Sequence, residues 1–183
     1  RIVKVFWGLD YNLSYRRHFP AINWLTSYSL YQDRLTEWYR KNVSRDWNKY
    51  RADMMRILQE EAELQEIVQL VGVDALSPMD RVTLEAARSI REDYLQQNAF
   101  NEVDTYSSLD KQYWMLKIIL AFYYNGQEAV KKGASIDALF SMPVREKIAR
   151  LKYVPHEEMN TVFAQVEEEL NSQIEALTSQ DGR

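Results

Sequence analysis

The sequence predicts an all-α fold: a helical bundle of about six to eight helices that contains a long antiparallel helical hairpin and is preceded by a short strand. Three observations lead there. Glycine and proline are scarce from Asp33 onward, apolar residues then recur at spacings of three, four and seven, and Ser or Asp stands before most of the periodic stretches. Of the 183 residues, 46% are hydrophobic and 27% charged, enough for one or at most two cores and too apolar for a disordered tail.

Residues 2–6 (IVKVF) are β-branched and partly alternating, so they read as a strand that Gly8 ends. One strand alone buries nothing, so its partners are expected outside the chain. Ser44 and Asp46 are candidate N-caps of a helix reaching Leu70, with Trp47, Tyr50, Met54, Ile57, Leu58, Leu64, Ile67, Val68 and Val71 at helical spacing. Such a helix is roughly 40 Å long, and Gly72 is its stop. In VDALSPMDR, Ser77 is an N-cap, Pro78 takes the first helical position, and Asp80 completes a capping-box-like pair. The helix that follows carries Val82, Leu84, Ala87, Ile90, Tyr94 and Leu95 and runs to about Gln97. A connection of about six residues makes the two helices an antiparallel hairpin.

Residues 96–106 (QQNAFNEVDTY) form a polar break that nevertheless holds Phe100 and Tyr106. Isolated exposed rings need no explanation, yet two beside a helix end can equally wall a pocket for a flat ligand. Ser107 and Ser108 cap the next helix, which is apolar nearly all round from Trp114 to Tyr123 and so belongs at the bundle centre, with an interruption expected at Asn125 and Gly126. Short helices are expected over 135–140 and 143–151. A last one over 155–178 carries Met159, Val162, Phe163, Val166, Leu170, Ile174 and Leu177 in one stripe. No internal repeat or low-complexity linker divides the chain.

Composition excludes several functions. Lys and Arg number 23 against 27 for Asp and Glu, a formal charge of -4, so no global positive field exists to hold nucleic acid. There is no cysteine, hence no disulfide, thiolate metal site or thiol nucleophile, as suits a reducing compartment. The longest apolar run, MLKIILAFYY, contains a lysine and falls short of the ~20 residues of a spanning helix, so no direct membrane insertion is expected. The start RIVKVFWGLD lacks an initiator methionine and lies within an apolar run, which reads as a cut inside a larger protein.

Catalytic constellations are few. The five glycines are isolated and build no phosphate loop. His18 and His156 are far apart, and in PHEEM the position one turn on is Asn160, so no helical zinc pair forms; acidic residues in a first turn answer to the macrodipole. No serine lies in a G-x-S-x-G turn, and Glu60, Glu61, Glu63 and Glu66 read as a solvated helix face.

Taken together, FWGLD, RRHFPAINWLTSYSLY, EIVQLVGVDALSPMDR and REDYLQQNAFNEVDTY resemble the C-terminal part of the catalytic A subunit of V/A-type rotary ATPases, over nearly all of residues 1–125 and in the style of the bacterial and archaeal branch. The resemblance implies that residues 1–31 end a nucleotide-binding domain and that 32–183 form the C-terminal helical domain. It implies an adenine pocket in which Phe19, from HFPAI, stacks on the base, with Phe100 and Tyr106 as further walls and Pro20, Ala99 and Val103 nearby. Stacking on a base contributes ~1–3 kcal/mol without hydrogen bonds.

Asp74, Ala75, Leu76, Ser77, Pro78, Met79 and Asp80 (DALSPMD) correspond to the acidic DELSEED stretch of the related F-type subunit, with several of its carboxylates absent. They are expected to form a tip facing the central stalk rotor. The cofactors implied are ATP or ADP with Mg, held by a phosphate loop and a general-base glutamate in an earlier domain; the expected partners are non-catalytic B subunits, which lend an arginine finger in an alternating hexameric ring, and the rotor. The place implied is the cytoplasmic head, peripheral to the membrane. This stretch alone is expected to be inactive. The rotary reading requires Phe19, Phe100 and Tyr106 to lie together at one end of the bundle, opposite Leu76. Its rival is a free-standing helical interaction module, for which amphipathic helices also suffice.

Overall fold

A computed structural model describes residues 3–180. In chain order it contains β1 (Val5–Leu9), α1 (Tyr11–Tyr15), β2 (Ile22–Ser29), α2 (Gln32–Asn42), α3 (Trp47–Val71), α4 (Pro78–Ser89), a π-helical turn (Ile90–Leu95), α5 (Leu109–Lys131), α6 (Ile136–Phe140), α7 (Val144–Arg150), a 3-10 turn (Leu151–Tyr153) and α8 (Met159–Gln180). The fold is predominantly α-helical, as the periodicity requires.

The opening strand differs from expectation. Ile2, where it was to begin, lies outside the described residues, and β1 runs through Gly8 to Leu9. Its partner lies within the chain: β2 pairs with it antiparallel, Phe6 opposite Tyr28 and Gly8 opposite Asn23, so the register shifts between these pairs. Inside this irregularity a Cβ on Gly8 would come within 2.6 Å of Thr26 Oγ1. The glycine therefore allows a close approach and does not end the strand.

α3 and α4 form the antiparallel hairpin, joined through a 3-10 turn at Val73–Ala75. Ser77 Oγ accepts from the Asp80 amide at 3.2 Å and donates to Asp80 Oδ2 at 2.7 Å, so two polar groups at the helix start are satisfied reciprocally. Gly72 ends α3 with φ 86°. Asp46 occupies the N-cap position of α3 but makes no side-chain cap bond; the Ser44 hydroxyl instead accepts from the Asp46 amide.

Burial along α3 is uneven. Trp47, Met54, Ile57, Leu58 and Glu61 are buried, whereas Ile67, Leu70 and Val71 face solvent. The apolar spacing thus continues past the core, and the last turns of α3 project from the bundle with only the start of α4 beside them.

α5 sits at the centre, with Met115, Leu116, Ile118, Ile119, Leu120, Phe122 and Tyr123 all buried. It packs against α3, α4, α7 and α8. The interruption expected at Asn125 and Gly126 is absent, and the helix continues to Lys131. Gly126 is an approach point: an added Cβ would lie 3.2 Å from a Leu139 methyl and 3.6 Å from Val82. Its missing side chain lets α6 and α4 come close, which outweighs the ~1 kcal/mol helix cost of glycine. α8 lays Met159, Phe163, Val166, Leu170 and Ile174 on the bundle, and it begins at Met159, after a turn, and not at Pro155.

Candidate functional site

The site is assembled from two distant segments. After α1, whose N-terminus is capped by Asp10 Oδ1, Arg17 turns the chain at φ 59° into His18, Phe19 and Pro20. His18 is buried, and its ring bridges two carbonyls: Nε2 lies 2.9 Å from the Arg91 oxygen and Nδ1 3.3 Å from that of Pro20. Arg91, in the π-turn, grips Glu61 of α3, its Nε lying 3.0 Å from both carboxylate oxygens. Burial outweighs this cation and raises the Glu61 carboxyl above its ordinary range. A chain of contacts therefore runs from the Phe19 segment through the π-turn to the hairpin.

The second segment is the loop after the π-turn. The Gln97 amide donates to the Phe19 carbonyl at 2.7 Å, which fixes the two predicted pocket segments side by side. Asp104, almost wholly buried, accepts from the Asn98 amide at 2.6 Å, and its carbonyl accepts from the Gln97 side chain at 3.2 Å. Asn98 and Asn101 then close local turns onto the amides of Phe100, Val103 and Asp104. The amides of Gln96, Gln97, Asn98, Phe100, Asn101, Val103 and Asp104 are all held.

The rings stand outward. Phe19 is 53% exposed, Phe100 99% and Tyr106 81%. Ala99 is exposed and Pro20 and Val103 are half-buried. Among the described residues these three rings make no stacked or edge contact with one another. The rings close no cleft among themselves: the two segments meet at the Gln97 to Phe19 bond, and each ring is exposed. Behind the face is a cavity of about 310 Å³ lined by Trp47, Arg51 and Met54 of α3, Tyr94 and Leu95 of the π-turn, and, of the predicted pocket residues, Pro20. Burial pushes the Tyr94 phenol well up, so it is a neutral lining group.

The hairpin tip lies at the other pole. The pocket face adjoins the Trp47 end of α3 and the tip follows Val71, so they are separated by ~36 Å of helix. Asp74, Ala75, Ser77 and Pro78 are exposed, and Met79 and Asp80 are half-buried. Leu76 departs from the expected outward role: it is buried at 8% exposure and anchors the turn. The surface the tip presents is instead apolar, with Leu70 84% and Val71 63% exposed and Val73 beside them.

Lys111, Lys152, Glu61 and Arg91 hold this site, and sequence reasoning missed all four. Their partners are backbone carbonyls or a residue distant in sequence, so spacing carries no sign of them; Glu61 was placed on a solvated face and is buried.

A helical module with an open aromatic face at one pole and a projecting two-helix finger at the other defines the class of protein. Residues 36–140 match the family model described as the C-terminal domain of V and A type ATP synthase, and the chain belongs to that family. Curated relatives agree. It is 67% identical over 181 residues to the V-type ATP synthase alpha chain of Acetivibrio thermocellus, 99% of this chain and 31% of that protein. The alpha chains of Thermoanaerobacter pseudethanolicus (59% over 177 residues; 97% of this chain, 30% of theirs) and Clostridium novyi (57% over 183; 100% and 31%) are similar. The chain spans just under a third of the length of the curated relatives it matches. Membership selects the rotary reading of the sequence over the free-standing one.

Proposed function

We propose that this chain forms the adenine-facing wall and the mechanical output of an ATP-binding rotary subunit. Residues 1–31 go with the nucleotide-binding domain and 32–183 form the helical domain. Phe19, Ala99 and Phe100 meet the base of ATP or ADP, with Pro20, Val103 and Tyr106 around them. The residues present fit the apolar face of a base: Phe19, Phe100 and Tyr106 are exposed rings, and the backbone that carries Phe19 is bonded to that of Gln97, three residues before Phe100. Bound Mg nucleotide supplies the phosphoryl chemistry, in the remaining two thirds of a subunit of the relatives' length. This chain orients the base and receives the motion of closure, and by itself is inactive.

The observation that carries the reading is the Gln97 to Phe19 hydrogen bond, which joins the two predicted pocket segments at the pole opposite the finger. A packed helical pair transmits displacement because its interior resists deformation, and here α3 runs from one pole to the other. The partners at the finger and at the flanks are the central stalk rotor and the non-catalytic B subunits of an alternating ring. That head is cytoplasmic and peripheral to the membrane. No helix among the described residues is long and apolar enough to cross a membrane.

In the assembled complex, Phe100→Ala weakens equilibrium ATP binding by ~1–3 kcal/mol, the range for removing an aromatic from a base stack. Binding equal to that of the parent complex refutes the assignment of this face.

A further inference from the structure

Two lysines are nearly inaccessible: Lys111 is 4% exposed and Lys152 8%. Lysine is almost never buried unless its ammonium finds partners. Among the described residues neither has a carboxylate within ion-pair distance; both are satisfied by carbonyl oxygens. Lys152 Nζ donates to the Glu92 oxygen at 2.7 Å, within the π-turn, and to the Gln96 oxygen at 3.0 Å, at its C-cap, where a cation also complements the helix dipole. Lys111 Nζ, from α5, donates in turn to the carbonyls of Lys152 and Val154. Lys111 thus fixes the strap that carries Lys152, and Lys152 fixes the end of the π-turn.

That end is the root of the nucleotide-facing loop. Three consecutive residues are tethered there by three different elements: the Gln96 carbonyl by Lys152, the Gln97 amide by the Phe19 carbonyl, and the Asn98 amide by Asp104. Ala99 and Phe100 follow directly. An open-surface ring that is 99% exposed gains nothing for folding from such a foundation. Burying two ammonium groups is costly, so a foundation that uses them is explained by the position it gives the ring.

We infer that Lys152, backed by Lys111, is a positioning residue of the base-binding face: it sets where Ala99 and Phe100 stand, and so how well the base is held. The inference rests on the adenine assignment above. It also gives work to the segment after α7, which lies outside residues 36–140 that match the family model. Burial lowers the Lys111 pKa, opposed by the Asp104 charge.

The test uses the assembled full-length complex, with steady-state hydrolysis of ATP and of GTP as probes. Lys152→Met raises KM for ATP about tenfold, as loss of a charged hydrogen bond at a fully coupled anchor implies. It leaves kcat within about twofold, because base placement alone is disturbed; KM for GTP rises in parallel, since stacking tolerates either purine. Lys152→Arg, which can donate to the same two carbonyls, restores KM. A purely structural role lowers yield or melting temperature and leaves KM of the surviving complex intact; that result overturns the inference. If Lys152→Met does not assemble, Asp104→Ala, confined to the loop, is read in its place: the same rise in KM is expected, and an unchanged KM overturns it. Phe100→Ala separates the two levels. An unchanged KM for ATP in that variant refutes the adenine face itself, whereas a rise there without one in Lys152→Met refutes only the role of the lysine.

Discussion

The two poles of the bundle are held by different kinds of bond. At the proposed base-binding face local turns are joined by tethers long in sequence: His18 to Arg91, Arg91 to Glu61, Gln97 to Phe19, and Lys152 to Gln96. At the tip they are local, chiefly the Ser77 and Asp80 exchange and the Gly72 stop, with Leu76 tucked inward. A face that must match a rigid ligand needs its backbone fixed from several directions. A finger that pushes needs only a stiff shaft and a tip that does not unwind, and helix hydrogen bonds with a good cap provide both.

The contrast can be broken from either side. Arg91→Ala has the largest expected effect, a loss of ~3 kcal/mol in urea unfolding, since it strands the buried Glu61 carboxylate. It also frees the π-turn from the hairpin, so amide exchange at residues 96–98 accelerates more than exchange near Ser77. Ser77→Ala comes next, at ~1 kcal/mol, the usual cost of a lost N-cap. Because the cap is local, ATP binding in the assembled complex stays at the parental value; a change there means the poles are not separable. Smallest is Leu70→Ser, at a side chain that is 84% exposed, with stability within ~0.5 kcal/mol of the parent. Its readout is coupling: in the assembled complex rotation per ATP falls, and normal coupling moves the rotor contact away from this turn.

What was legible in the sequence follows the same division. Ser77 and Ser108 each accept the expected N-cap bond, because a cap is an agreement between residues three apart. The central place of α5 was equally readable from its all-round apolar pattern. Pairings between distant residues were not. β2 pairs with β1 although INWLTSYS lacks clean alternation, and Asn125 and Gly126 continue a helix because Leu139 and Val82 lie against them. For the site, the segments containing Phe19 and Phe100 were identified by resemblance to the family, and their juxtaposition appears in the Gln97 to Phe19 bond. The burial of Leu76 was not legible, because a single apolar residue in a turn gives no sign of which way it points.

The wide turn at Ile90–Leu95 has a consequence for how this finger and face evolve together. A π-turn is an α-helix that has absorbed an extra residue, and each residue of a regular helix advances the azimuth by about 100°. Removing one position from this stretch would rewind it to ordinary pitch and swing everything downstream around the axis by that angle, carrying Phe100 off the side it shares with Phe19. The length of six residues here is a phase setting, so a residue gained or lost in it turns the loop that follows, which a change of length in an outer loop does not.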